Sequence, residues 1–147
     1  ARTFPIGKIS EENEKLLETT KECLARGIEQ ARPGNRVSDI GHAVQTHVEQ
    51  SGFSVVREFV GHGIGSSLHE DPQVPNFGVP GRGPVLKEGM TLAIEPMVNA
   101  GKPEWQLLGD GWTVVTKDHS LSAQWEHTNL VTEDGFEALT EHPDWPL

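Results

Sequence analysis

The 147 residues suffice for one domain with a real core and fall short of two ordinary domains. Apolar residues make up only 35%, with 16 Gly and 10 Pro, which excludes a simple helix bundle and points to several ordered loops. Twelve basic against 22 acidic residues give a net charge of -10, which argues against binding nucleic acid through its phosphates and leaves either a solvated acidic surface or carboxylates that hold cations.

Two helices are predicted first. Ser10 caps one, with Glu11 and Glu12 placing negative charge in its positive first turn. Leu17, Thr20, Leu24, Ile28 and Ala31 recur at helical spacing until Arg32-Pro33-Gly34 stops the pattern. The single cysteine, Cys23, lies within this pattern and reads as a packing residue. It permits no internal disulfide and suits a reducing compartment such as the cytoplasm. Ser38 is the predicted cap of a second helix with an apolar face of Ile40, Val44 and Val48, ended by Ser51-Gly52. The two helices should pack as an antiparallel pair against a sheet.

Phe53 to Val60, rich in β-branched and aromatic residues, reads as a strand. Gly61 to Gly89 holds seven glycines and four prolines and reads as a long functional loop. Met90 to Glu95 reads as the next strand, closed by Pro96. Trp105 to Leu108 and Trp112 to Thr116 flank a hairpin turn at Gly109-Asp110-Gly111. Leu121 to Thr132 is a further strand, and Glu133-Asp134-Gly135 turns the chain into a last one at Phe136 to Leu139. Beyond Thr140 the tail is polar, with Trp145 as its one anchor. Helices followed by mostly antiparallel strands define an α+β class, with residues 1–52 as helix pair, 53–140 as sheet and metal-binding loops, and 141–147 as tail. No apolar run approaches the roughly 18 residues that span a bilayer. Nothing at the start reads as a signal peptide, and the chain begins at Ala1 rather than Met, as a processed protein or a piece of a longer one would.

The residues able to carry chemistry are few. His62, within Gly61-His62-Gly63-Ile64-Gly65, sits where glycines let the backbone bend and approach a ligand. Taken by itself, that segment is open to a ligand role or to an ordinary loop role. Glu95 ends a run that looks buried, so it must be paired with a basic residue, protonated or bound to a metal. Strand alternation puts Gln124, Glu126 and Thr128 on one polar face, resembling the lining of a cavity, and turns His127 the other way as a structural residue. His69 is either an exposed loop histidine or a group that orients a substrate carbonyl. His42, His47, His119 and His142 carry no local signal. One His and two Glu form a nitrogen and oxygen set without thiolate, suited to manganese, iron(II), cobalt or zinc and to hydrolysis by metal-activated water.

The order of Phe59-Val60-Gly61-His62-Gly63-Ile64-Gly65, His69-Glu70-Asp71-Pro72-Gln73-Val74-Pro75, Met90-Thr91-Leu92-Ala93-Ile94-Glu95-Pro96-Met97, Gly111-Trp112-Thr113-Val114 and Gln124-Trp125-Glu126-His127-Thr128 resembles type I methionine aminopeptidases. The resemblance covers nearly the whole chain, and the spacings of 33 residues from His62 to Glu95 and 31 from Glu95 to Glu126 agree with it. It implies the carboxy-terminal half of the pita-bread fold, a helix pair packed on a curved, mainly antiparallel sheet. By resemblance, His62 and Glu95 bind one of two divalent metal ions (Co, Mn, Fe or Zn) and Glu126 bridges both. Glu95 and His69 take the catalytic roles, as proton acceptor and as contact to the substrate near the scissile bond, while Trp112 and Leu68 wall the methionine pocket.

The activity so implied is removal of amino-terminal methionine from nascent polypeptides, with the ribosome as a candidate partner and neither nucleic acid nor membrane. The family also carries two metal-binding Asp residues and a substrate-contacting His in its amino-terminal half, one Asp in a Gly-Asp-Thr segment that would fall just before Ala1. Two dications against two carboxylates leave a charge deficit that calls for more acidic ligands. The expectation is a piece that needs an amino-terminal half, or self-associates, to complete its site. The alternatives are an inactive pita-bread module that binds peptides or ribosomes, and a prolidase-like peptidase.

Overall fold

A computed structural model describes residues 1–143. Helix α1 runs Glu11–Ile28, and Ser10 accepts a hydrogen bond from Asn13 N at 3.2 Å, as a serine cap should. Its inner face buries Leu16, Thr20, Cys23, Leu24 and Ile28. Leu17, expected in the core, is only partly buried, and its neighbour Leu16 takes the inward place.

Helix α2 spans Val37–Gln50 and starts two residues earlier than a Ser38 cap would allow, with Arg36 in the cap position. Arg36 N donates instead to Asp39 Oδ2 at 2.7 Å, which closes the first turn. The Ser38 hydroxyl is drawn outward, where it donates to Arg82 O at 2.8 Å and accepts from Arg82 N at 2.6 Å. Ile40, Val44 and Val48 are fully buried, and Gly52, at φ +87, ends the helix in the left-handed region that glycine tolerates.

Ten strands follow among the described residues: β1 (Ser54–Val55), β2 (Gly61–Ile64), β3 (Glu70–Val74), β4 (Thr91–Ile94), β5 (Met97–Asn99), β6 (Trp105–Leu107), β7 (Val114–Thr116), β8 (Ser122–Gln124), β9 (His127–Val131) and β10 (Phe136–Ala138). All pairings are antiparallel. They form a five-stranded sheet in the order β10-β9-β4-β2-β3, a three-stranded sheet β1-β5-β8 and the hairpin β6-β7. One apolar cluster, including Leu24, Ile40, Leu92 and Ile94, lies between the helices and the larger sheet. A second, including Cys23, Val44, Val55 and Val98, lies between the helices and the smaller one.

Three sequence readings change. The strand expected from Phe53 to Val60 shrinks to Ser54–Val55, and the expected loop from Gly61 contains β2 and β3. Glycines that looked like loop residues are instead what lets β2 pack closely between its neighbours: a Cβ on Gly61 would collide with Ala93 O, and one on Gly63 with Asp71 O. The single strand expected from Leu121 to Thr132 is two strands, β8 and β9, which belong to different sheets and part at Trp125 and Glu126. The β6-β7 hairpin matches expectation. Its turn holds Gly111 at φ +70, and Asp110 accepts from Trp112 N and Thr113 N. That acceptance, with a further bond from the Thr113 hydroxyl, holds the Asp110 carboxyl down at about 2. Trp145, the expected anchor of the tail, lies outside the described residues.

Helix α2 meets the end of β3 through a backbone contact at Gly41, where a Cβ would lie 2.6 Å from Phe77 O and 2.8 Å from Phe77 N. Gly41→Ala is therefore expected to destabilise the chain by roughly 1–3 kcal/mol. Urea unfolding would show it as a lower midpoint at unchanged slope, and a wild-type midpoint would refute the contact.

Candidate metal centre

The two halves of the broken strand pair build the site. β4 pairs with β9 and β5 pairs with β8, and the two ladders share one register: Ile94 faces His127 in the first and Met97 faces Gln124 in the second. The intervening Glu95 and Glu126 therefore fall opposite each other, at the point where both chains leave one sheet for the other. The ladder opens there because Pro96 has no N–H to donate and because like charges directly opposite repel. Each strand read alone ends at an acidic residue; together they place two carboxylates in one gap.

Glu95 is mostly buried, with 17% of its side chain exposed. Gln124 Nε2 donates to its Oε2 at 3.2 Å. Burial first, and then the charge of Glu126, push its pKa up, against the weaker opposing pulls of His62, the amino terminus and Gln124. Of the alternatives left open by the sequence, a Lys or Arg partner is not what the structure shows. The neighbours of Glu95 are an imidazole, an amide and a second acid.

His62 stands in the middle of β2, next to Ala93 of β4. Its Nδ1 lies 2.9 Å from Gly63 O, and since a carbonyl can only accept, Nδ1 carries the proton. In the neutral ring, Nε2 then presents its lone pair to Glu95 Oε1, 3.6 Å away. A lone pair facing a carboxylate is repulsive unless a proton or a cation lies between them. This is the arrangement in which a histidine ligates a metal, its far nitrogen fixed by a backbone carbonyl.

Glu126 is fixed from its other edge by the start of the chain. Glu126 N donates to Ala1 O at 2.9 Å, Ala1 N donates to Glu126 O at 3.1 Å, and the Ala1 ammonium lies 3.8 Å from Glu126 Oε2. Thr3 N donates to Gln124 O at 3.0 Å, and Gln124 N donates to the Thr3 hydroxyl at 2.9 Å. No sequence signal marked residues 1–3 as part of the site, because their role is main-chain pairing. His127, read as structural, is 4% exposed and turned away from the gap, and burial pushes its pKa down.

His69 is exposed, with its ring centroid 4.1 Å from that of His62. The two rings line one shallow cavity of about 420 Å³ together with Gly61, Asp71 and Gln73. Leu68 is 68% exposed and belongs to none of the cavity walls described here. Trp112 is 87% exposed at the hairpin and lines a larger apolar cavity of about 710 Å³ with Phe59, Met97, Trp105, Val114 and Gln124. Gln124 lines that cavity and also donates to Glu95, which sets the apolar space beside the acidic gap. The Phe59 and Trp105 rings, 5.1 Å apart at their centroids, were not among the expected pocket residues.

The donor set has the chemistry of a divalent-cation site and falls short in number. Among the described residues no three His, Cys, Asp or Glu side chains converge closely enough to hold an ion as they stand. His62 and Glu95 meet, and Glu126 faces them across the gap. Replacing Glu126 with Gln removes one cause of the raised Glu95 pKa, so Glu95 should titrate at lower pH in the variant, as read by carboxyl ¹³C NMR. The sign for stability follows from the raised native value. The contribution of Glu95 is fully present below the unfolded carboxyl pKa and is lost as pH rises through the native one. Glu126→Gln should flatten that fall.

The model of metallopeptidase family M24 matches residues 1–133. Methionine aminopeptidase 1 of Bacillus subtilis is 57% identical over 140 residues, covering 95% of this chain and 56% of that protein. The crystal structure of methionine aminopeptidase from Thermotoga maritima superposes with a TM-score of 0.92 at 49% identity, over 95% of this chain and 56% of the other. A prolidase from Pyrococcus horikoshii superposes at 0.72 with 24% identity, which is a likeness of fold alone. The chain thus has the expected α+β pita-bread architecture and spans about half the length of the curated relatives it matches.

Proposed function

The chain belongs to metallopeptidase family M24, and from that premise we propose that it is the histidine-and-glutamate side of the metal centre in an aminopeptidase that removes amino-terminal methionine from nascent polypeptides. The observation that carries this reading is the gap between β4 and β9, where Glu95 and Glu126 oppose each other and His62 turns Nε2 toward Glu95. His62, Glu95 and Glu126 would hold the cations, two divalent ions of the cobalt, manganese, iron or zinc type. When bound, such ions acidify water and polarise a carbonyl.

The chain's own residues do the rest. Glu95, whose pKa is raised by burial and by Glu126, is a carboxylate made more basic than an exposed one and so suited to take a proton from an attacking water. Gln124 keeps its carboxylate turned into the gap. His69, stacked beside His62, presents a ring to the carbonyl or amide of the scissile bond. Trp112, with Phe59, Met97 and Trp105, offers the apolar cavity for a methionine side chain, and Leu68 is exposed and lies outside its walls.

Further carboxylates are needed beside these two, and the pairing of residues 1–3 with 124–126 supports a source for them. Residues joined ahead of Ala1 would enter along the same edge of Glu126. The reading therefore makes efficient turnover depend on an amino-terminal portion, a dependence consistent with the relatives' greater length. It also favours a cytoplasmic enzyme working on new chains, with the ribosome as its neighbour. No helix among the described residues is long and apolar enough to cross a membrane. The high identity to methionine aminopeptidases favours that specificity over a prolidase-like one, and the intact His62, His69, Glu95 and Glu126 set disfavours an inactive binding module.

Two experiments test this. Calorimetry with Mn(II) should show binding by the wild type and at least tenfold weaker binding by Glu126→Ala, a loss of about 1.4 kcal/mol; equal binding would sink the role of Glu126. Methionine release from Met-Ala-Ser should need both a divalent metal and an added amino-terminal half, whereas Xaa-Pro peptides should remain uncut. Normal turnover by the 147 residues alone would overturn the incomplete-site reading. Exposed Trp112, Val114 and Leu121 line the open cavity, and Leu107 and Leu108 are exposed on the same hairpin segment, so sedimentation should show concentration-dependent self-association. A compact monomer at all concentrations would count against it.

A further inference from the structure

His127 is an odd residue for the place it fills. It sits directly after Glu126, faces Ile94 across the ladder and is 4% exposed. An apolar side chain would pack there without penalty. The imidazole instead leaves Nε2 buried without a hydrogen-bond partner, which costs stability. Something else must offset that cost.

The other ring nitrogen shows what. His127 Nδ1 lies 2.9 Å from Thr140 Oγ1, and the same oxygen accepts from Thr128 N at 3.0 Å. Leu139 N donates to Thr128 O at 2.8 Å alongside. One hydroxyl beyond the end of β10 thus ties the side chain of residue 127 and the main chain of residue 128, which begin β9. On the preceding side, Glu126 pairs with Ala1, and Trp125 is buried in the core and bridged to Arg2. The carboxylate is therefore carried on a short span between two anchorages, at the one point where the strand pair is open and two acids repel each other.

We infer that His127 is a positioning residue for Glu126: with Thr140 it clamps the start of β9 so that the Glu126 carboxylate stays opposite Glu95 against their mutual repulsion. The inference rests on the metal reading of Glu126 proposed above. It assigns no proton transfer to His127 and requires only that Thr140 fix the ring in one orientation and one tautomer.

The test uses the 147-residue chain with Mn(II) as the probe, by calorimetry, and ¹⁵N NMR of the imidazoles. The wild type should show His127 in a single neutral tautomer. Thr140→Val, which keeps the volume and removes the hydroxyl, should yield mixed tautomers and bind Mn(II) about tenfold more weakly, the lower end for loss of an outer partner of a metal ligand. Thr140→Ser should restore both readings. His127→Phe should weaken binding as Thr140→Val does, and His127→Asn, with an amide near the Nδ1 position, should recover part of it. If Glu126→Ala weakens binding while Thr140→Val leaves it unchanged, the clamp is refuted. A Thr140→Ser variant as weak as Thr140→Val refutes it too. If Glu126→Ala itself has no effect, the metal reading of Glu126 fails instead, while the tautomer spectra still report whether Thr140 holds the ring.

Discussion

Two carboxylates set opposite each other across an opened strand pair are the constraint on which the rest of the structure depends. Glu95 and Glu126 occupy facing positions in a continuous antiparallel register, where like charges are unfavourable and where Pro96 interrupts the ladder. Such a feature persists only if the surrounding fold over-determines it. The fold does so by sending the two ends of each strand into different sheets, so that β4 and β9 belong to five strands and β5 and β8 to three. The acids cannot slip apart along the chain without breaking one sheet or the other.

The helices supply the stiffness. α1 and α2 cover both sheets, with Leu24, Ile28 and Ile40 against the larger and Cys23, Val44 and Val48 against the smaller. Each fully buried side chain of this kind contributes about 1.5–3 kcal/mol relative to exposure. The apolar layer thus holds the seam between the sheets from behind, and the acidic residues project from its front. Cys23, pushed up to about 12 by burial, is part of that layer and not of the chemistry. The close packing of Gly61 against Ala93 brings β2 near enough to β4 for the His62 ring to reach Glu95, while Gly63 seats β3 on the other side of β2 and Gly41 seats α2 on the segment after β3.

The chemistry of the seam follows from its neighbours. An imidazole whose Nδ1 is committed to Gly63 O offers only Nε2, and an acid whose neighbours are Glu126 and Gln124 lacks a Lys or Arg partner among them. Positive charge is what this arrangement lacks. The same logic makes the family match to metallopeptidases chemically coherent.

Local pattern determined a good deal. The Ser10 cap, the buried helical faces, the β6-β7 hairpin and the α+β order were all legible, because each depends on neighbours within a few residues. So was the oddity of an acid ending the buried run at Glu95. What failed to read correctly was non-local. The glycines around His62 looked like a loop because the sequence does not show that Ala93 and Asp71 crowd them into a strand. The break at Glu126 was invisible because an uninterrupted run of strand-forming residues gives no sign that its two ends join different sheets. The facing of Glu95 and Glu126, the pairing of Ala1 with Glu126 and the clip at Thr140 are matters of register between segments far apart in the chain. Residue type alone supplied the ligands; only the packing of two sheets on two helices decided that they face one another.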